Sequence, residues 1–319
     1  AIINLINDER RLYMLSIFQL MKYLRNTHHI NVKSSQTQAL RNMGYYHGFK
    51  GYRFIREDTN RVNFSSLDEI IALNKYDMRL KTVLYPKVMF IENALKSYVI
   101  EALLADSKSE NFDVIYNKSL TAYRNYTPGS RAYKTEYTKR MNLKGKINAA
   151  LVRDYNKRSV VAHFFNNDIT IPVWAIFETL ALGEFGTLYD CACTNVKLYV
   201  SNIMKLPTNL DSDGMNTKFF IFTVKDLRNA IAHNNVIFDT RFKDRKISPV
   251  LKKWVEKETG IQNITLYSLI DYIIIVCCLL KRVDFSGTRA LTLLNKYKEE
   301  NQRLQNSVAS EIYDHIIQN

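Results

Sequence analysis

The sequence predicts an almost entirely helical, all-α protein, and two observations carry that expectation. Glycine and proline together number 15 among 319 residues, under half the roughly 12% share of an average globular chain. Strand-and-turn folds need those residues at their corners. Apolar residues also recur with a helical period in several long stretches. At 46% hydrophobic and 24% charged residues, the chain has a globular composition and enough length for a sizeable core.

The elements follow in order. Residues 1–30 read as helix on Leu12, Leu15, Phe18 and Met21. A polar loop at 31–35 leads to a short helix at 36–43. Gly44, Gly48 and Gly51 then fall among Tyr45, Tyr46, Phe49, Tyr52 and Phe54, which predicts a compact turn against an aromatic cluster. Ser66 caps a helix with Ile70, Leu73, Tyr76, Leu80 and Leu84 on one face. Pro86 starts or kinks the next stretch, which runs to about Leu104. A connector covers 106–111. Pro172 opens a helix through Trp174 and Phe177 that Gly183 and Gly186 end, and a second stretch covers 188–204. After a turn-rich break at 207–214, a long helix spans about 216–234, with Ile221, Val224, Leu227 and Ile231 as its buried stripe. A loop near 235–247 precedes two or three further helices. The longest apolar run, 272–280, is far short of the roughly 20 residues that span a bilayer and reads as a core helix.

Lys and Arg number 45 against 31 Asp and Glu, a net charge of +14. Such a chain attracts polyanions, and charge alone does not choose among RNA, DNA and anionic membrane. The surplus is uneven. Residues 124–158 hold ten basic residues, Arg124, Arg131, Lys134, Lys139, Arg140, Lys144, Lys146, Arg153, Lys157 and Arg158, against Glu136 and Asp154. Tyr126, Tyr133, Tyr137 and Tyr155 are interleaved. Cations that neutralise phosphates, alternating with rings that stack unpaired bases, make an RNA surface; a solvated helix face explains scattered charge as well. Cys191, Cys193, Cys277 and Cys278 lack zinc-ligand spacing and read as buried free thiols in a reducing cytoplasm. No targeting segment is expected in residues 1–11, which mix acids and bases.

The sharpest pattern is Arg228-Asn229-Ala230-Ile231-Ala232-His233. Cutting RNA without a metal requires that the ribose 2′-hydroxyl lose a proton, that the leaving 5′-oxygen gain one, and that the phosphorane charge be stabilised. Histidine moves protons near neutral pH, arginine grips two phosphate oxygens, and asparagine orients either partner. On a helix Asn229 and His233 share a face, whereas Arg228 and His233 lie about 140° apart. Arg158 and His163 repeat the bare spacing. Requiring Asn directly after Arg lowers the chance expectation to about 0.03 occurrences. The structural alternative pairs Arg228 with Asp226 or a helix end and leaves His233 as a helix cap.

This segment resembles the R-N-x3-H motif of the HEPN ribonuclease superfamily. Gly44-Tyr45-Tyr46-His47-Gly48-Phe49-Lys50-Gly51-Tyr52, Tyr76-Asp77-Met78-Arg79-Leu80, Ile91-Glu92-Asn93-Ala94-Leu95, and Pro172-Val173-Trp174 through Leu182-Gly183-Glu184-Phe185-Gly186 resemble, in order, the AbiD/AbiF family of abortive-infection proteins, closest to its AbiF branch. His47 stands where that family's aromatic motif usually has Arg. The resemblance implies a HEPN-type helical bundle with additional N- and C-terminal helices. It also implies metal-independent RNA cleavage that leaves a 2′,3′-cyclic phosphate, no cofactor, and Arg228, Asn229 and His233 as active-site positions. HEPN sites are usually composite, so one motif per chain implies a homodimer; a working Arg158–His163 half-site would allow a monomer. We divide the chain into an N-terminal region, 1–65, and a HEPN-like core, 66–319, with a basic insertion at about 120–160. Beyond the RNase, with a regulatory RNA bound, stand two alternatives: a non-catalytic RNA-binding or sensor module, and a toxin held by a protein antitoxin.

Overall fold

The computed structural model describes residues 16–207, 209–243 and 247–318. Leu12, Leu15, the 1–11 stretch and the side chains of Tyr46 and His47 lie outside the described residues. Ser16 caps α1 (Ile17–His28), exchanging hydrogen bonds with Gln19. Next come α2 (Thr37–Met43) and a π-helical turn, Tyr45–Lys50. The glycines explain that turn. Gly44 adopts φ +75, and a Cβ on Gly48 would lie 2.2 Å from Met43 Cγ. Tyr45, Phe49 and Tyr52 are buried beneath it, as the aromatic cluster predicted.

The spine is α3 (Leu67–Ser107), 41 residues long. It starts where the Glu69 carboxylate accepts the Ser65 and Ser66 N–H groups at 2.8 and 3.1 Å, satisfying donors a helix start leaves open. Ile70, Leu73, Leu80, Leu84, Val88, Ile91, Leu95 and Val99 are almost wholly buried along it, each contributing about 1.5–3 kcal/mol. The sequence predicts an interruption at Pro86, yet the helix is continuous. Pro86 and Thr82, whose carbonyl loses its donor, both lie on the exposed side, so the missing bond falls at the surface and not in the core.

The remaining helices are α4 (Phe112–Lys118), α5 (Arg131–Tyr155), α6 (Ser159–Asn166), α7 (Val173–Thr179), α8 (Leu182–Cys191), α9 (Thr194–Ile203), α10 (Asn216–Ala232), α11 (Pro249–Thr259), α12 (Leu269–Asp284), α13 (Thr288–Gln305) and α14 (Ser310–Gln318). Four helices follow the 235–247 loop rather than two or three. Gly183 and Gly186 do not end a helix but lie inside α8. Gly186 is there for contact: a Cβ would sit 2.9 Å from Phe222 Cζ and 3.1 Å from Ile221 Cγ2 of α10.

Helices α9, α10, α12 and α13 pack around α3, and α8 lies between α5 and α10. Among the described residues no strand forms; the isolated bridges join Asn31 to Ser66, Phe54 to Arg61, and Asn111 to Pro172. No helix there is long and apolar enough to cross a membrane. All four cysteines are free, with Cys191, Cys277 and Cys278 buried and Cys193 half-buried.

Candidate functional site at the C-terminal end of α10

Ile221, Val224 and Leu227 are almost wholly buried and fix α10 against the core. That stripe carries Arg228 to the face turned toward α3. Its Nε lies 3.2 Å from Glu92 Oε2, and Lys96 Nζ lies 2.9 Å from Glu92 Oε1. The Glu92 side chain is 3% exposed and that of Arg228 30%. The contact is ionic only, because neither Arg228 Nε nor Glu92 Oε2 completes a hydrogen bond. Arg228 Nη1 donates to Asn229 Oδ1 at 3.2 Å, which leaves guanidinium N–H groups for an anion.

The helix ends at His233. The Asn235 N–H bonds to the Ala230 carbonyl at 2.8 Å and the Asn234 N–H to that of Ile231 at 3.1 Å, with Asn234 at φ 55. This is a Schellman cap with Asn in the left-handed position. Lys81 Nζ donates to Asn234 Oδ1 at 2.9 Å and lies 2.7 Å from Asp77 Oδ2. The fully buried Asp77 carboxylate also accepts the Ile237 and Phe238 N–H groups at 2.8 and 3.0 Å and the Tyr52 hydroxyl at 3.1 Å. The loop after the motif is thus tied to α3 and to the aromatic turn. His233 itself is exposed, and its ring makes no hydrogen bond among the described residues. Neither motif side chain is sealed in the apolar core. Arg228 turns toward α3 and His233 toward solvent, on the two sides that their spacing implies.

Residues 38–239 match the family model described as Abi-like protein. The chain belongs to the Abi-like protein family. The match contains the aromatic turn, Asp77, Glu92 and the Arg228–His233 segment, which the structure brings into contact or into sequence along one helix end. Membership in the Abi-like family points to a role in abortive infection, a defence of bacteria against phage. No curated protein and no solved structure matches the chain.

The basic residues of this Abi-like chain divide by what they touch. Arg131, Lys134 and Lys146 on α5 are exposed and form no ion pair among the described residues. Arg124 is exposed and meets the Tyr123 hydroxyl at 3.3 Å; Tyr126 is exposed beside it. Lys139 is held by Glu136 and Asp190, both at 2.7 Å. Lys144 pairs with Asp113 at 2.9 Å and Arg158 with Asp154 at 3.1 Å. Arg140 is 5% exposed; it donates to the Tyr116 carbonyl at 2.7 Å and stacks 3.6 Å over the Tyr116 ring. Tyr133 and Tyr137 stack on each other at 5.9 Å and close the same cluster with Tyr123. Arg140 therefore holds tyrosines together, and a surface strand meets little of it. His163 is exposed on α6 and leans on Asn167. Among the described residues no group of three or more His, Cys, Asp or Glu is placed to hold a metal ion.

The sequence assigned roles to Arg228 and His233, but it gave Asp77 and Glu92 only as members of family-like stretches and did not single out Lys81 or Lys96. The available signal was an acid on or beside the apolar stripe of α3: Asp77 follows Leu73 by four positions, and Glu92 adjoins Ile91. An ionisable residue there needs a partner.

Proposed function

We propose that this Abi-like protein is a metal-independent endoribonuclease of the HEPN type, nearest the AbiF branch, acting as a toxin in abortive infection. The observation that carries the reading is the Arg228-Asn229-x3-His233 segment at an accessible helix end, its arginine anchored by Glu92 from a second family-matched stretch. In the reaction the 2′-oxygen bonds to phosphorus as the bond to the 5′-oxygen breaks, giving a 2′,3′-cyclic phosphate and a 5′-hydroxyl end. A neutral His233 takes the 2′-hydroxyl proton, and the protonated His233 of a second copy gives one to the leaving oxygen. Arg228 offsets the phosphorane charge. Because Arg228 and His233 of one chain face different sides, the second copy completes the site, and the working form is a homodimer.

Arg124, Arg131, Lys134, Lys146 and Tyr126, all exposed and none in an ion pair among the described residues, hold a regulatory RNA that restrains the enzyme. The Arg228–Glu92 ion pair favours a second reading, a non-catalytic RNA sensor, since a guanidinium already paired with a carboxylate offsets developing phosphorane charge less. Purified protein and its His233→Ala variant, incubated with cellular RNA, separate the two. Cutting and toxicity lost in the variant with RNA binding retained supports the enzyme. Wild-type protein that binds RNA without cutting it supports the sensor. Phenol extraction of the purified protein tests for the bound RNA.

A further inference from the structure

A cleft of about 580 Å³ runs beside α10, lined by Lys218, Phe219, Phe222, Lys225 and Asp226 from that helix and by Phe242 and Lys243 from the following loop. Lys218, Phe222, Lys225, Asn229 and His233 recur at spacings of three and four, so they form one stripe along α10. The cleft therefore opens on the face that carries His233. Its near end, at Asp226, is about 10 Å along the helix from His233 at 1.5 Å per residue.

Two of the three lysines in the cleft are spent. Lys218 Nζ lies 2.7 Å from Asp190 Oδ1, and Lys225 Nζ lies 3.0 Å from Asp226 Oδ1. Lys243 differs. It is 9% exposed, and its ammonium makes neither an ion pair nor a hydrogen bond among the described residues; the Tyr272 ring lies 5.8 Å from Nζ, and Asp226 attracts it only through space. Burial holds that ammonium below the ordinary lysine value. Behind it the Tyr272 hydroxyl is buried without a hydrogen-bond partner, and its ring meets Phe242 at 5.3 Å. A buried cation and a buried donor without partners are costly, and an anion entering the cleft would offset that cost. Three phenylalanine rings beside them offer the apolar faces on which unpaired bases stack. The volume suits one small ligand and is too narrow for a duplex.

We propose that this cleft seats one unpaired nucleotide of the RNA strand near the cut, its phosphate against Lys243 and its base against Phe222 and Phe242. The placement deepens the ribonuclease reading and rests on it for the identity of the strand. Asp226 supplies an acceptor for base amino or ribose hydroxyl groups, so the site prefers an unpaired strand to a simple anion.

The test uses His233→Ala protein, in which the strand stays intact, and a fluorescein-labelled short unpaired RNA. Adding Phe222→Ala weakens its binding by about 5- to 100-fold, the usual loss of one stacked base. Adding Lys243→Met lowers the salt slope of binding by about one. Because Lys243 is buried, crosslinking gives a second measurement with the cleft unaltered: a 4-thiouridine version of the RNA, irradiated on this protein, labels peptides carrying Phe222 or Phe242. Both variants binding as their parent does, or adducts confined to α5, overturns the proposal. Displacement of the RNA by nucleoside monophosphate at equal affinity assigns the cleft to free nucleotides and overturns the strand placement. Wild-type protein that cuts no RNA, with Phe222→Ala still weakening binding, would sink the ribonuclease reading and leave the cleft standing.

Discussion

Glu92 Oε2 stands 3.2 Å from Arg228 Nε across the α3–α10 contact, while the other oxygen of the same carboxylate holds Lys96 at 2.9 Å. One buried acid sets the position of the motif's arginine. Glu92→Gln keeps the shape and removes the charge. The guanidinium then swings free, and a displacement of about 1 Å at such a group costs on the order of 100-fold in rate. Stability falls less, by about 1–2 kcal/mol, because both cations are part-exposed and hydrate. Cleavage assays beside urea unfolding check the split; wild-type cutting by Glu92→Gln would show that the anchor is not needed.

Asp77 gives a different outcome. Its carboxylate takes two backbone N–H groups, a tyrosine hydroxyl and a lysine in a fully buried place. Asp77→Asn strands Lys81 and sets an amide donor against other donors. We expect a loss of about 3 kcal/mol or more, with the amides of Ile237 and Phe238 exchanging early in hydrogen-exchange measurements.

Asp190 supplies the pH dependence. Burial alone would raise its carboxyl, but the hydrogen bonds and positive charges of Lys139 and Lys218 together outweigh burial and hold it below the usual carboxylate range. A depressed carboxylate contributes stability that is present above its unfolded value, near 3.9, and lost as pH falls through the lower folded value. Asp190→Asn therefore destabilises by about 2–3 kcal/mol at pH 7. The difference from wild type persists to about pH 5 and shrinks as the solution is acidified below about 4. Thermal melts across that range show it, and a gap that widens in acid would contradict the assignment.

Gly186 separates two substitutions. In Gly186→Ala the new Cβ meets the tip of the half-buried Phe222 ring, which can shift, and comes to 3.1 Å from Ile221 Cγ2, while the helix gains up to about 1 kcal/mol of propensity; near-neutral stability is expected. In Gly186→Val the branch adds two methyl groups to that already tight place between Phe222 and the buried Ile221, and overpacking costs about 1–3 kcal/mol. Paired denaturation midpoints read the contrast.

Much of α10 was legible: its extent, its buried stripe from Ile221 to Ile231, and the Arg228–His233 spacing all follow from local periodicity. What was missed lies between elements. Glu92 carries no local sign that its partner comes from α10. Gly183 and Gly186 look like stops because nothing nearby in the sequence reports that Phe222 presses on one of them. Pro86 looks like a break because its exposure depends on which face of α3 the core selects. Arg140 counts toward a basic surface until the rings around it are placed.

The unbroken course of α3 through Pro86 makes it a ruler. Lys81, which holds the loop after the motif, and Glu92, which holds the motif's arginine, are eleven residues apart, about 16 Å and just over three full turns. A single inserted residue between them would rotate one anchor about 100° away from the other. Homologous chains should therefore vary in almost any composition across this segment while keeping its length.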